Sequence, residues 1–517
     1  MTPRPDEAGA SAPALDGAAT DAGPRSAHDG DGAAPGADGA SGDGPAARAA
    51  DPEPVDGVAP PAVTARQTRL LALGVGVLVA ALYTLHSWAQ WQAFAVRSWD
   101  LGIFTQLAAR YAAWQAPVVT IKGEGFNLLG DHFHPLLVLL GPVYSLAPSA
   151  FTLLVVQSVL LGAAAAVVTH AAVPLLGRLV GGLVGLAAGL SWGLQYAVEA
   201  QFHEIAFAVP LLAVALSGVL RGRWRTAVVA GALLVLVKED LGLTTAVLGL
   251  LLAWRARRWV YLGLTAWGLG AFLLATSVVL PALNPDGEWE YGTRVDVLGQ
   301  LADPVGLYAP AKGYTVWLLV VVTGAIALRS PFVLVALPTL GWRFLSEETG
   351  HWEPTWHYSA VLMPIAYLAM LDGIDRARRG GPGWLRRYSR YAPAVGLTAS
   401  LVLMPQWPLW HLTNPGLHFS TARAQAARAA LDAVPPGVTV VSDVGLMSYL
   451  VDTTDVYWLG NANPVPDYVV IDRLSGGTPG EWGDASQVGS VLNPGESFEL
   501  VLSRQGYEVA RRVVERE

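Results

Sequence analysis

Two short stretches in the first third of the chain carry residue types that could do chemistry. Residues 98–104 read SWDLGIF and residues 130–135 read GDHFHP, so together they supply two carboxylates and two imidazoles. The side chains concerned are Asp100, Asp131, His132 and His134. Carboxylates and imidazoles act as general bases and as ligands of Zn²⁺ or Mn²⁺. Where such groups lie beside a bilayer their desolvation is costly, and they are functional candidates by default.

Later stretches add further ionisable candidates. They are His203, Glu204, Lys238, Glu239, Asp240, Arg343, His351 and His357. His132, His134 and His203 have the chemistry to hold a divalent metal, but hydrogen-bonded histidines at a membrane interface are the alternative. Asp100 also has two interpretations, because Asp is a favoured N-cap and could simply begin the helix that follows.

The composition predicts that these residues belong to a membrane protein. Of the 517 residues, 53% are hydrophobic and only 14% are charged, against roughly 25% charged in soluble domains. The absence of cysteine excludes disulfides and thiolate metal sites. The net charge of −8 comes from residues 1–65, which hold eleven acids and three bases. The rest is neutral, so a nucleic-acid partner is not expected.

The chain divides into three predicted regions. Residues 1–65 are rich in Ala, Gly, Asp and Pro and are predicted to be a disordered cytoplasmic tail. Residues 66–405 form the transmembrane domain. Residues 406–517 are predicted to be a small α/β extracytoplasmic domain, with a helix at 420–433, strands at 438–442, 468–471 and 498–502, and a strand or helix at 507–514.

Apolar runs and arginines together predict an all-α polytopic membrane domain of about eleven transmembrane helices. The predicted spans are 70–88, 151–176, 179–196, 205–220, 226–237, 241–254, 259–283, 314–328, 331–345, 358–371 and 391–405. Sixteen arginines fall on one side of these spans and seven basic residues on the other. The positive-inside rule then places the N-terminus in the cytoplasm and the candidate residues on the outer face of the cell membrane.

Three segments depart from ordinary spans. Residues 101–114 have helical periodicity and are predicted to lie along the interface, and the apolar run 135–145 is only half a span long. The runs flanking Lys238-Glu239-Asp240 are also short. They form either a hairpin that lines a water-filled cavity or one broken helix with three charges at mid-depth. The hairpin is favoured, because a single helix would put its flanking arginines on opposite sides. A self-neutralising structural ion cluster is the non-functional reading of the triplet.

The motifs resemble a known family. The blocks WDLGIF (99–104) with Gln106, GDHFHP (130–135), QFHE (201–204) and KED (238–240) are similar to an uncharacterised family of predicted membrane proteins, domain of unknown function two-zero-seven-nine, over about residues 70–475. More distantly, the layout resembles GT-C glycosyltransferases of the protein mannosyltransferase and aminoarabinose transferase type. These have an acid in the first outer loop, interfacial helices and a hairpin lysine.

The resemblance implies a GT-C-like transferase that takes a sugar from a polyprenyl-phosphate carrier on the outer face, with membrane lipids as its surroundings. Asp100 would be the base, Asp131 would assist or hold a metal, and Lys238 and Arg343 would bind the donor phosphate. The other expected cavity residues are Glu204, Glu239, Asp240, His351 and His357, and a divalent metal on the three histidines is an expected cofactor. A transporter or lipid-handling protein without covalent chemistry is the alternative.

Overall fold

The computed structural model describes residues 64–96, 98–293, 299, 309–414, 421–475 and 482–514. The predicted tail therefore lies outside the described residues, apart from its last two positions. The described chain is mainly helical, and a small sheet follows the helices. The α-helices are α1 (Ala65–Gln92), α2 (Trp99–Ala112), α3 (Leu140–Leu146), α4 (Ala150–Leu176), α5 (Arg178–Gly189), α6 (Trp192–Glu199), α7 (Ala208–Leu220), α8 (Trp224–Leu233), α9 (Leu241–Ala256), α10 (Leu262–Leu274), α11 (Leu280–Leu283), α12 (Pro310–Val321), α13 (Leu337–Leu345), α14 (Leu362–Gly380), α15 (Gly383–Leu403), α16 (Ala422–Asp432), α17 (Met447–Leu450) and α18 (Ala485–Leu492).

Five helical segments of the described residues are long and apolar enough to cross a membrane. They are Ala65–Gln92, Ala150–Leu176, Arg178–Glu199, Trp259–Leu283 and His357–Gly380. Five shorter apolar segments accompany them, namely Pro135–Leu146, Ile205–Leu220, Trp224–Leu236, Leu241–Ala256 and Pro331–Leu345. This architecture is that of a polytopic membrane protein. The number of eleven transmembrane helices stays a prediction.

Small residues let the first spans pack closely. A Cβ on Gly162 of α4 would lie 2.4 Å from the carbonyl oxygen of Gly76 in α1, so the two backbones touch at this point. Such contacts between small residues are typical of helix packing in membranes, where dispersion forces replace the hydrophobic effect. The apolar side chains of α1, α4, α7 and α14 belong to one large buried cluster.

The segment around Lys238 is a hairpin. Thr245 of α9 donates to the carbonyl of Gly231 in α8 at 3.0 Å, so α8 and α9 run side by side in opposite directions. Arg221, just before α8, donates to the carbonyl of His170, and Arg255, at the end of α9, pairs with Asp372 at 3.0 Å. The interpretation as one broken helix is therefore wrong, because the helix reverses at residues 238–240.

The two ends of the bundle differ in charge. Arg378 donates to the carbonyl of Leu175 at 2.8 Å, and Arg178 donates to Gln67 close to the beginning of α1. We call this the arginine end. The opposite end, where α1 ends and α2 lies, is called the α2 end. The C-terminal sheet packs against the α2 end.

The C-terminal region contains a five-stranded mixed sheet. Its strands are β1 (Thr439–Ser442), β2 (Asp455–Trp458), β3 (Tyr468–Asp472), β4 (Phe498–Arg504) and β5 (Tyr507–Arg512), in the order β2-β1-β3-β5-β4. The first three strands are parallel, and β5 is antiparallel to both β3 and β4. Strand β2 was missed in the sequence because its four residues DVYW are too short for a clear alternation.

The sheet and α2 share one hydrophobic core. Leu101, Phe104 and Ile121 from the first loop lie in the same buried cluster as Met447 and Val456. Gln106 and Thr120 both donate to the carbonyl of Val456, at 2.9 and 2.7 Å. The edge strand β2 is thus covered by the first loop, which fixes α2 between the bundle and the sheet.

Candidate functional site

Helix α2 begins at a serine cap that leaves Asp100 unused. The Ser98 hydroxyl oxygen accepts a hydrogen bond from the backbone N–H of Leu101 at 3.1 Å. The interpretation of Asp100 as the cap is therefore wrong. Asp100 lies in the first turn, is half-buried, and makes no hydrogen bond or ion pair to any residue that the structure describes.

The surroundings of Asp100 make it a stronger base than an exposed aspartate. Burial raises the pKa of Asp100, because desolvation disfavours its charged form. Positive charge on His203 and Lys122 opposes this effect, and negative charge on Glu204 adds to it, with a net upward shift. These residues come from two segments distant from Asp100 in the sequence, so the fold gathers their charges around one carboxylate.

Asp131 is held by an ion pair with Lys122. The Lys122 Nζ lies 3.3 Å from Asp131 Oδ2, and the Tyr291 hydroxyl donates to Asp131 Oδ1 at 3.3 Å. Burial alone would raise the pKa of Asp131, but Lys122 and His132 outweigh it and lower that pKa. Asp131 is therefore an ionised carboxylate and a poor base.

His132 and Glu239 form a second pair. The His132 Nδ1 is 2.8 Å from Glu239 Oε1, and the backbone N–H of Phe133 donates to Glu239 Oε2 at 3.0 Å. Burial lowers the pKa of His132, but the Glu239 carboxylate more than compensates and raises it. The Tyr291 ring stacks on His132 with centroids 4.3 Å apart. The GDHFHP segment is in this way tied to the tip of the α8–α9 hairpin.

Lys238 and His203 share a third carboxylate. Glu204 is fully buried, with Oε1 3.0 Å from Lys238 Nζ and Oε2 2.5 Å from His203 Nδ1. Burial would raise the pKa of Glu204, but His203 and Lys238 hold it well below its usual value. Burial would also lower the pKa of Lys238, yet Glu204 and Asp240 raise it. Lys238 is thus a permanent cation at the hairpin tip.

The three predicted metal ligands do not converge on one point. His132 faces Glu239, His203 faces Glu204, and the His134 ring packs edge-on against Phe104 with centroids 5.9 Å apart. Burial lowers the pKa of His134 to about 4, so that imidazole is neutral. Among the described residues no group of three or more His, Cys, Asp or Glu side chains has metal-binding geometry. The arrangement of these three histidines does not fit the expected metal.

Arg343 anchors the segment 351–359. It is fully buried, and its guanidinium donates from Nε to the His351 carbonyl at 2.7 Å, from Nη1 to Ser359 at 3.1 Å and from Nη2 to the Glu353 carbonyl at 2.8 Å. The His351 Nδ1 lies 2.7 Å from the hydroxyl of Ser346. All three guanidinium nitrogens donate hydrogen bonds within the protein. They hold the segment 351–359 in place, and this segment includes His357.

A cavity lies beside the hairpin tip, and we call it the Trp342 cavity. It is lined by Ile205, Lys238, Asp240, Leu241, Thr339, Trp342, His357, Tyr358 and Val361. The ring of His357 stacks on that of His203 with centroids 3.5 Å apart. Because His203 also contacts Glu204, the cavity adjoins the ion pair of Lys238.

The arrangement combines two carboxylates that have no ion-pair partner among the described residues, Asp100 and Asp240, with several fixed cations. Asp131, Glu204 and Glu239 are each neutralised, whereas Asp100 and Asp240 form no ion pair with the described residues and are the candidates to accept a proton. The positive charges of Lys122 and Lys238 act on Asp100, and these two cations can stabilise a phosphate. The sequence interpretation missed Lys122, Tyr291 and Trp342. Lysine is so rare in this chain, with three residues, that its scarcity was a usable signal for Lys122.

Comparisons with known proteins agree with this architecture. The sequence pattern of a family described as "Predicted membrane protein (DUF2079)" matches residues 91–508. The crystal structure of ArnT from Cupriavidus metallidurans bound to undecaprenyl phosphate is similar with a TM-score of 0.52 and 14% sequence identity, covering 87% of this chain and 99% of ArnT. The apo structure of ArnT gives a TM-score of 0.50 at 14% identity, covering 84% and 97%. No curated protein matches the chain.

Proposed function

Because the chain belongs to the DUF2079 family of predicted membrane proteins and has a GT-C-like fold similar to that of ArnT, we propose that it is a membrane glycosyltransferase. Its donor would be a sugar linked to a polyprenyl phosphate, and its acceptor a hydroxyl group. The ArnT structure with undecaprenyl phosphate supports a lipid phosphate as the donor carrier. Since likeness of fold alone does not establish an activity, the proposal rests on the site.

The observation that carries the proposal is the half-buried Asp100 of the first loop, which has no hydrogen-bond or ion-pair partner among the described residues. A transferase that activates a hydroxyl needs a base whose carboxylate is not already bound to a cation. Asp131, Glu204 and Glu239 have cationic or imidazole partners within 3.3 Å, and Asp100 has none among the described residues. Asp100 is therefore assigned as the general base.

The proposed reaction is a single displacement at the anomeric carbon of the donor. The acceptor oxygen forms a bond to that carbon while the bond from the carbon to the phosphate oxygen breaks. The polyprenyl phosphate leaves with the electron pair, and Asp100 accepts the proton of the acceptor hydroxyl and later gives it to water. One displacement of this kind inverts the anomeric configuration of the sugar.

Lys122 and Lys238 are assigned to the leaving phosphate. Negative charge develops on the phosphate oxygen as the bond breaks, and a fixed cation in a water-poor site stabilises it. A lysine suits this task as a compact point charge. Asp131 holds Lys122 in place at 3.3 Å, and Glu204 holds Lys238 at 3.0 Å. Arg343, predicted as a phosphate ligand, is assigned instead to positioning the segment 351–359.

The proposal places the reaction on the outer face of the membrane. The arginine end carries Arg178, Arg221, Arg255 and Arg378, and the positive-inside rule assigns such an end to the cytoplasm. The α2 end and the C-terminal sheet would then face outward, where lipid-linked sugars donate to extracytoplasmic acceptors.

The test of this function is the variant Asp100→Asn in purified protein. The amide keeps the shape of the side chain but cannot accept the proton, and we expect transfer from polyprenyl-phosphate sugars to fall at least about 10²-fold. The measurement is the initial rate of radiolabelled sugar transfer across a panel of donors. The matched control is Asp432→Asn, an exposed position at the end of α16.

Two outcomes would contradict the assignment. Unchanged transfer by Asp100→Asn would remove Asp100 as the base. Binding of lipid phosphate by the native protein, without transfer from any donor in the panel, would favour the lipid-handling alternative.

A further inference from the structure

Three arginines at the arginine end lie around one residue of α4. Arg221 donates to the carbonyl of His170, and its charge acts on the His170 ring. The charges of Arg69 and Arg223 act on the same ring. Arg69 belongs to α1, and the other two arginines belong to the connection between α7 and α8, so the fold brings them together. We call these three arginines the His170 cluster.

The His170 cluster concentrates positive charge that the described protein does not balance. None of its arginines forms an ion pair with a residue that the structure describes. Burial lowers the pKa of Arg221, and the positive charge of Arg223 lowers it further. Like charges that are held together repel one another, and water screens this repulsion less where a group is partly buried. The positive-inside rule accounts for arginines on this side of the bundle but not for their gathering around one residue.

The two carboxylates of α14 at this end already have partners. Asp372 is paired with Arg255 at 3.0 Å and with Arg376 at 2.7 Å. Asp375 is paired with Arg379 at 2.9 Å. The negative charge that would balance the His170 cluster is therefore expected from a bound anion.

The donors of the cluster suit a phosphate group. A guanidinium presents five N–H donors in a planar fork that matches the spacing of phosphate oxygens. The side chains of Arg69 and Arg223 make no hydrogen bond to the described residues, so all of their donors are available to a ligand. Both side chains are exposed, which leaves the cluster open to a ligand from outside the bundle.

An apolar surface continues from the cluster along α1. Arg69, Leu73 and Val77 follow one another at intervals of four residues and therefore share a face of the helix. Leu73 is 62% exposed and Val77 is 60% exposed. A soluble phosphate would leave this surface uncovered, whereas the acyl chains of a phospholipid would cover it.

Helix α5 repeats this arrangement next to α1. Arg178, its first residue, donates to Gln67 in the first turn of α1. Leu179 follows directly and is 75% exposed, and Leu183 is exposed one turn later. Both helices thus carry arginine at the arginine end and exposed leucine toward the middle of the bundle.

We propose that the His170 cluster and Arg178 bind the phosphate head group of an anionic phospholipid, whose acyl chains lie along the exposed faces of α1 and α5. Basic pockets between transmembrane helices recognise anionic head groups in this way. A head group with net negative charge is preferred to a zwitterionic one, because only the former balances the arginines. The site lies at the opposite end of the bundle from Asp100, so it does not depend on the proposed transfer reaction.

The test titrates the full-length protein in detergent with dioleoyl phosphatidylglycerol, dioleoyl phosphatidylcholine and inorganic phosphate. Apparent affinities come from the shift of thermal unfolding with ligand concentration, and native mass spectrometry counts the bound lipids. We expect phosphatidylglycerol to bind at least about tenfold more tightly than phosphatidylcholine. Arg69→Gln and Arg223→Gln should each weaken phosphatidylglycerol about fivefold and leave phosphatidylcholine unchanged. Two variants are used so that misfolding of one does not remove the test.

The matched control is Arg258→Gln, which removes an exposed arginine from the connection after α9. It should leave the affinity for phosphatidylglycerol unchanged. A loss as large as that in Arg69→Gln would overturn the inference and indicate a general attraction of the arginine end. Equal affinities for the two lipids would also overturn it. Inorganic phosphate that binds as tightly as phosphatidylglycerol would show a site for soluble phosphate and exclude the lipid assignment.

Discussion

At the scale of single residues, three carboxylates of the site serve as counter-ions, whereas Asp100 is available to take a proton. Glu204, Glu239 and Asp131 each neutralise a lysine or an imidazole, which offsets the cost of burying both partners. Asp100 has no such partner within the described chain. Burial raises the pKa of Asp100, and a change in the nearby charges directly changes the pH at which Asp100 ionises.

The pH dependence of transfer should report the ionisation of Asp100. The base must be ionised, so we expect kcat/KM to rise with pH and to level off above an apparent pKa higher than that of an exposed aspartate. The groups that act on Asp100 are His203, Glu204, Lys122 and Lys238. Because Lys122 lowers the pKa of Asp100, Lys122→Gln should move the rising limb to higher pH.

The control for this shift is Arg110→Gln, which removes a positive charge from the far end of the same helix. It should leave the pH profile in place. A profile that is identical in Lys122→Gln and the native protein would contradict the assignment of Asp100 as the titrating base.

At the scale of elements, the site is formed by short segments that pack closely against one another rather than by long helices. The segment 130–135 lies against the end of α11, where Asn284 donates to the carbonyl of Gly130 at 3.1 Å. A Cβ on Gly130 would lie 2.5 Å from the carbonyl carbon and oxygen of Leu283. Only glycine permits this approach, which sets the position of Asp131 and His132.

Gly130→Ala should therefore displace the segment and reduce transfer. We expect a loss of about tenfold or more in kcat, since displacement of a catalytic group by about 1 Å can cost 10²-fold. Initial rates and thermal unfolding of the purified variant are the measurements. Gly313→Ala is the matched control, because a Cβ added at this position would have no atom within 4 Å. Full activity in Gly130→Ala would contradict this account of the segment.

At the scale of the whole molecule, the C-terminal sheet is part of the structure that holds α2. The rings of Trp99 and Trp458 are in contact with centroids 4.6 Å apart, and the hydroxyl of Ser448 donates to the carbonyl of Ser98 at 3.0 Å. The Lys122 Nζ lies 5.6 Å from the centroid of Trp99 on the same loop. The C-terminal region therefore positions the two residues directly before Asp100.

Trp458→Ala should weaken this contact and lower both stability and activity. Loss of the contact between the two rings alone should lower the free energy of unfolding by about 0.5–1.5 kcal/mol. Because α2 is then less firmly held, we expect kcat to fall more than KM rises. Trp458→Phe should restore most of the activity, because it keeps an aromatic ring against Trp99. Trp384→Ala, an exposed position in α15, is the control. Native kcat in Trp458→Ala would show that the sheet is not needed to position α2.

The sequence by itself determined the class of protein, the family and the identity of most candidate residues. Apolar runs are long enough to be recognised without knowledge of their neighbours, and the arginine pattern separates the two ends. The hairpin at residues 238–240 followed from the same pattern. These features depend on the composition of short stretches of the chain, which the amino-acid sequence gives directly.

Only the tertiary structure decided which charge pairs with which. Glu204 meets Lys238 and Lys122 meets Asp131 across loops, and no spacing in the sequence encodes those partners. The same holds for Ser98 rather than Asp100 as the cap of α2, for the dispersal of the three histidines, and for the interior position of Arg343. Electrostatic pairing depends on distances of a few ångströms between distant segments, and packing of the whole chain sets those distances.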